Sequence, residues 1–140
     1  MFTRIDHVAF AVKDRQKSID FYETNFGFKK YYEHDVPGVS DLEKVVYLQL
    51  GDTVLEFEHW TDNKENKGYH FCLISDDFDS DYQRLKSAGI PVVTEPHIPE
   101  PRTPQEVGWK RVVFQGPDGE LIEFRGEHEG GLLGKGSPFH

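Results

Sequence analysis

The sequence predicts an α+β fold in which one unit, running strand, helix, strand, strand, strand, is used twice. Three observations predict it. His7 and His70 each interrupt an apolar, β-branched or aromatic run, Ile5 to Val12 in one case and Tyr69 to Ile74 in the other. Two later runs, Thr53-Val54-Leu55-Glu56-Phe57-Glu58 and Glu120-Leu121-Ile122-Glu123-Phe124-Arg125, each set a carboxylate between two large apolar residues. The spacings agree: His7 and His70 are 63 residues apart and Glu56 and Glu123 are 67 apart, so the copies differ by four residues of loop. Internal duplication is the simplest source of such a match.

Each element has its own local cause. After the strand Ile5 to Val12, Asp14 offers an N-cap, Ile19, Tyr22 and Phe26 recur at helical spacing, and Gly27 supplies a left-handed close. Phe28 to Glu33 and Lys44 to Leu50 read as strands around a loop at Pro37 and Gly38, and Gly51-Asp52 turns the chain into the strand carrying Glu56. A polar connector, Thr61 to Lys67, leads to the second copy. There Asp77 or Asp79 caps a helix with Phe78, Tyr82 and Leu85 on its apolar face, and Gly89 closes it. Ile90 to Val93 and Arg111 to Phe114 read as strands, and the turn Gly116-Pro117-Asp118-Gly119 opens the strand with Glu123. Thr94 to Gly108 carries Pro96, Pro99, Pro101 and Pro104, so it reads as a loop serving as lid or wall.

Size and charge exclude several classes. A chain of 140 residues with 36% hydrophobic and 14% aromatic residues holds a real core, and composition of this kind is globular. Sixteen Lys+Arg against 25 Asp+Glu give a formal charge of -9, with no basic stripe to follow a nucleic acid. The first residues lack the pattern of a signal peptide and no apolar run reaches membrane length. The single cysteine, Cys72, fits a reducing cytoplasm and reads as a buried structural thiol.

In a strand, neighbouring side chains face opposite ways. Leu55 and Phe57 therefore pack a core while Glu56 faces away, and Ile122, Phe124 and Glu123 repeat the arrangement. Two histidines and two glutamates at equivalent places in two copies form a nitrogen and oxygen donor set suited to a divalent cation. The expected ligands are His7, Glu56, His70 and Glu123, and the expected metal is Zn, Ni, Co or Mn. A carboxylate on a half-buried face is costly unless a cation meets it.

Ile5-Asp6-His7-Val8-Ala9-Phe10, Phe21-Tyr22 with Gly27-Phe28, Val54-Leu55-Glu56-Phe57, His70-Phe71-Cys72-Leu73, Leu85 with Ala88-Gly89-Ile90, and Gly116-Pro117-Asp118-Gly119 before Leu121-Ile122-Glu123-Phe124 together resemble the vicinal oxygen chelate superfamily. That superfamily includes glyoxalase I, methylmalonyl-CoA epimerase, extradiol dioxygenases and the fosfomycin- and bleomycin-resistance proteins. The resemblance implies two paired βαβββ modules whose sheets curve round a shared metal-containing cavity. It implies one domain over 1–126, with modules over 3–60 and 68–126, and leaves 127–140 as a flexible Gly-rich tail. It also implies a small-molecule substrate and a homodimer.

An acid at position 56 makes the set similar to the glyoxalase I and epimerase branch, because dioxygenases and fosfomycin-modifying members lack it. The implied activity is a metal-dependent lyase or isomerase that moves a proton on a small α-oxygenated substrate, with Glu123 or Glu56 as the base. The alternatives are a dioxygenase, a fosfomycin-type thiol transferase or a non-catalytic drug- or metabolite-binding protein. Ala11 and Trp60 stand where similar bacterial enzymes place a glutathione-binding arginine and asparagine, which argues against glutathione. Glu58 and Trp60 share the face of Glu56. Arg102, Lys110, Arg111 and Arg125 are candidate handles for an acidic substrate, and His34, His59 and His97 are candidate acid-base groups.

Overall fold

The computed structural model describes residues 1, 5–62, 64–66, 70–100 and 108–126. Their elements follow the expected order: β1 (Val8–Val12), α1 (Arg15–Phe26), β2 (Lys29–His34), β3 (Leu42–Leu50), β4 (Thr53–Trp60), then β5 (His70–Ser75), α2 (Phe78–Ser87), β6 (Val92–His97), β7 (Arg111–Gln115) and β8 (Leu121–Gly126). The chain divides into two compact units, Met1–Lys67 with Pro117–Gly119, and Gly68–Gly116 with Glu120–His140. No helix among the described residues is long and apolar enough to cross a membrane.

In the first unit the strand order is β1-β4-β3-β2. β1 pairs parallel with β4, and the other neighbours are antiparallel. α1 makes this possible: it carries the chain from β1 to the opposite edge, and β3 and β4 then return inward by short turns. Asp14 caps the helix by accepting from the Lys17 amide at 3.1 Å, and Gly27 ends it at φ 79°, a left-handed conformation that costs an L side chain about 1–2 kcal/mol. The apolar side of the sheet buries Phe10, Leu48, Leu55 and Phe57. Tyr22 of α1 lies against it, its ring 5.4 Å from that of Phe57 and 6.0 Å from that of Phe10. Asp118, in the short segment grouped with this unit, accepts from the Lys13 amide at 2.8 Å and from the Ser18 hydroxyl at 2.6 Å.

The second unit repeats the plan, with order β5-β8-β7-β6 and a parallel β5-β8 pair. Asp77 caps α2, and Phe78 and Tyr82 pack on Phe124 and Phe114 at ring separations of 5.1 and 6.1 Å. Ser87 is the last helical residue, Ala88 caps the helix, and Gly89 follows at φ 81°.

Four expectations change. β1 begins at Val8, so His7 precedes the strand instead of sitting inside it. β6 runs on to His97 through the expected loop. Pro96 is tolerated there because β6 is an edge strand with register shifts on either side of Thr94. Cys72 is exposed, because strand alternation turns it away from the core that Phe124 and Ile122 form. Glu123, expected on a half-buried face, is almost fully buried at 4% exposure. Arg102, Pro101, Pro104, Tyr69 and the tail 127–140 lie outside the described residues.

Candidate metal and substrate site

In the first unit, parallel registry of β1 and β4 sets Ala9 beside Glu56 and Ala11 beside Glu58. His7, two residues before Ala9, falls on the same side as Glu56. Its Nε2 stands 3.9 Å from Glu56 Oε2, while its Nδ1 is 2.9 Å from Asp6 Oδ2. The Asp6 hydrogen bond raises the His7 pKa above the ordinary imidazole value, partial burial opposes this, and the Glu56 charge adds to it. A ring held from behind by a carboxylate, with its second nitrogen facing another carboxylate, is a common arrangement for a metal-ligating histidine.

Tyr47 of β3 lies opposite Glu56. Its hydroxyl sits between the Glu56 carboxylate and His34 Nε2, the latter 3.0 Å away. Burial, then the Glu56 charge, raise the Tyr47 pKa, so the phenol stays protonated and available as a donor. A register shift between Lys30 and Tyr32 brings both Tyr31 and Tyr32 to this ring, with centroids 6.1 and 6.3 Å away. Sequence reasoning missed this aromatic group. Strict alternation would have sent consecutive tyrosines to opposite faces, and only the bulge reunites them. Glu58 and Trp60 share the Glu56 face as expected, and the indole donates to Glu58 at 3.3 Å. The Ala11 peptide is occupied on both sides by the Asn66 side chain, at 3.1 and 2.7 Å.

The second unit treats its carboxylate differently. Arg111 Nη2 donates to Glu123 Oε2 at 2.9 Å and Arg125 Nε donates to Glu123 Oε1 at 2.8 Å. Registry explains it: Arg111 lies opposite Arg125, and Val113 opposite Glu123, so all face one way. Burial works to raise the Glu123 pKa, but the two guanidinium hydrogen bonds more than offset it and hold the acid below the usual carboxylate range. The cation expected beside a buried carboxylate is therefore present as arginine. Cys72 pairs with Glu123 across β5 and β8. Although Cys72 is exposed as a residue, partial withdrawal of its thiol from water, then the Glu123 charge, push its pKa up to about 12.

His70 opens β5 and lines a cavity of about 150 Å³ with Thr94, Arg111, Val113, Leu121 and Glu123, among others. A separate hollow of about 290 Å³ lies beside His7, lined also by Asp6, Asp52 and Thr53. Thus the structure brings His7 to Glu56, and places His70 and Glu123 at one cavity. Among the described residues, no group of three or more His, Cys, Asp or Glu side chains is gathered as a metal cage. The other candidates are partnered: His59 with Arg15 at 2.8 Å, His97 with the Glu95 carbonyl at 2.9 Å, and Lys110 with Asp79 at 3.0 Å.

Ligand atoms sharing one tetrahedral ion at about 2.0–2.2 Å lie roughly 3.3–3.5 Å apart, so the His7 and Glu56 pair at 3.9 Å needs little closure. That pair fits. Glu123 is ionised, as a ligand must be, but engaged by two guanidiniums.

Two strand-helix-strand-strand-strand units, each with a carboxylate on its last strand and a histidine at or before its first, define a class of duplicated α+β folds. The chain belongs to the Glyoxalase/Bleomycin resistance protein/Dioxygenase superfamily, whose profile matches residues 4–124. It is 33% identical over 128 residues to a lactoylglutathione lyase of Neisseria meningitidis, covering 86% of this chain and 88% of that protein. It is 28% identical over 129 residues to the metallothiol transferase FosB of Shouchella clausii, covering 88% and 80%. The glyoxalase family protein from Enterococcus faecalis superposes with a TM-score of 0.73 at 23% identity, over 89% of this chain and 98% of that one.

Proposed function

We propose that the protein is a metal-dependent lyase or isomerase of the glyoxalase and epimerase type, moving a proton on a small α-oxygenated, carbonyl-containing substrate. The observation that carries this reading is the His7 and Glu56 pair, 3.9 Å apart where the start of β1 runs beside β4, with no guanidinium ion-paired to Glu56 among the described residues. His7, Glu56, His70 and Glu123 would hold the divalent cation, Zn, Ni, Co or Mn. Bound there, such an ion supplies Lewis acidity to a carbonyl oxygen.

The remaining work falls to this chain's own side chains. Glu56 is the base: its side chain is 15% exposed, and the Tyr47 phenol stands ready to donate to it. Glu123 is the poorer base, since two arginines stabilise its ionised form. Tyr47, held in turn by His34, fixes the orientation of Glu56. An acid at position 56 favours this branch over thiol transfer or dioxygenation. The occupied Ala11 peptide and the Trp60 contact with Glu58 support a substrate other than a glutathione conjugate. The reading carries a small-molecule substrate, a homodimer and a cytoplasmic location, with neither nucleic acid nor membrane as partner.

The test is metal content of tag-free protein by plasma mass spectrometry, followed by a screen against methylglyoxal hemithioacetals and acyl-CoA epimers in D₂O. Wild type should retain a divalent metal that the His7→Ala, Glu123→Ala double variant loses, and Glu56→Gln, supplied with excess metal, should lose about 10²-fold or more of proton exchange. Wild type holding no more metal than the double variant overturns the reading. Oxygen uptake with catechols, or thiol consumption with an epoxide, would move it to the other branches.

A further inference from the structure

We infer that Arg111 is the recognition point for an oxyanion on the substrate, a carboxylate in the first instance, and that Glu123 occupies it as an internal competitor. The inference rests on the function proposed above and names the substrate class of that site. Its basis is a charge imbalance at a cavity. One carboxylate, Glu123, faces two guanidiniums, which leaves this three-residue cluster with one more positive charge than negative.

The two arginines are not equivalent. Arg125 has a side chain only 10% exposed and its guanidinium carbon lies 4.1 Å from the Trp109 ring centroid, so it is anchored against the indole. Arg111 is 25% exposed and lines the cavity of about 150 Å³ beside His70 and Thr94, with Val113 and Leu121 as an apolar wall. Arg125 is the permanent counter-ion and Arg111 the exchangeable one. A guanidinium has five N–H donors in a rigid fork that matches a carboxylate in two parallel bonds. Glu123 uses one Arg111 nitrogen, Nη2, so among the described residues the fork retains donors for an incoming anion. The Glu123 carboxylate itself shows the chemistry that Arg111 accepts.

A consequence links this subsite to the metal. If Glu123 turns to a cation, the bond to the outer arginine is the one given up, and Arg111 is released to the cavity. Cation and anion binding then strengthen each other by the same factor.

The experiment is a chemical-shift titration of the full chain, at fixed ionic strength, with propionate and with methylphosphonate. In chelator-stripped protein, Glu123→Gln should bind propionate about tenfold more tightly than wild type. Asp20→Asn, which makes the same charge change on α1, should not. Adding Arg111→Met to Glu123→Gln should erase the gain. Stripped and zinc-loaded wild type, which needs no substitution, should differ about tenfold in the same direction, and Arg111→Met should cancel that difference too. Tighter binding of propionate than of methylphosphonate assigns a carboxylate handle, and the reverse order assigns a phosphonate or phosphate. Equal affinity of Glu123→Gln and Asp20→Asn, or survival of the gain without Arg111, overturns the inference. These arms are separable from the metal reading: protein that takes up no zinc defeats the proposed function but leaves the stripped comparison decisive. Protein that takes up zinc with no change in anion affinity defeats the coupling alone.

Discussion

Glu56 and Glu123 occupy the same place in two copies of one unit, yet their neighbours give them opposite characters. Glu123 is fixed between Arg111 and Arg125, so its folded pKa lies below the ordinary value of 4.5. The stability this confers is complete above about pH 4.5 and is lost as pH falls through the lower folded value. In metal-stripped protein, wild type should therefore lose urea resistance more steeply than Glu123→Gln on acidification below that point. Cys72 makes a second residue-scale prediction. With a pKa of about 12, its thiolate fraction at pH 7.5 is smaller than that of a free cysteine by about 10³-fold. Iodoacetamide should alkylate it correspondingly slowly, and removal of the neighbouring charge in Glu123→Gln should speed the reaction. The alternation of Leu55, Glu56 and Phe57, and of Ile122, Glu123 and Phe124, was readable because strand geometry alone decides it. The arginine pairing was not, since it depends on the β7 to β8 register, which brings Arg111 opposite Arg125.

At the scale of the element, helices were the most legible features because their end signals are local. Asp14 and Gly27 both act as their chemistry dictates. Strand ends were less so: Thr94, Glu95 and Pro96 read as loop but form part of β6, since an edge position removes the constraint on proline. The tyrosine group about Tyr47 was hidden for the same reason, a bulge that no residue type announces. The turn before β8 gives a direct test. A Cβ added at Gly116 would run into the carboxyl group of Glu120, which is fully buried and cannot swing aside. Gly116→Ala should destabilise the protein by about 1–3 kcal/mol, measurable as a lower denaturant midpoint at unchanged slope.

For the whole molecule, the duplication was visible in four residues and two intervals, and the two sheets of matching order follow it. The proposed donors, two from each unit, make a prediction that a one-sided site does not. Zinc at about 100 times its dissociation constant should stabilise wild type by about 2.7 kcal/mol. His7→Ala and His70→Ala should each abolish the rise in melting temperature, although they lie in different units. Retention of the rise in either variant would confine the ion to one unit. The irregular outer strands have a further effect. β2 is broken in register and begins with two lysines, and β6 carries Pro96 and two register shifts. Such strands present no continuous row of amide and carbonyl groups, so neither edge is a template on which a foreign strand could grow. These two margins, although they bear exposed Tyr31, Tyr32 and Val93, are thereby guarded against fibrillar self-assembly.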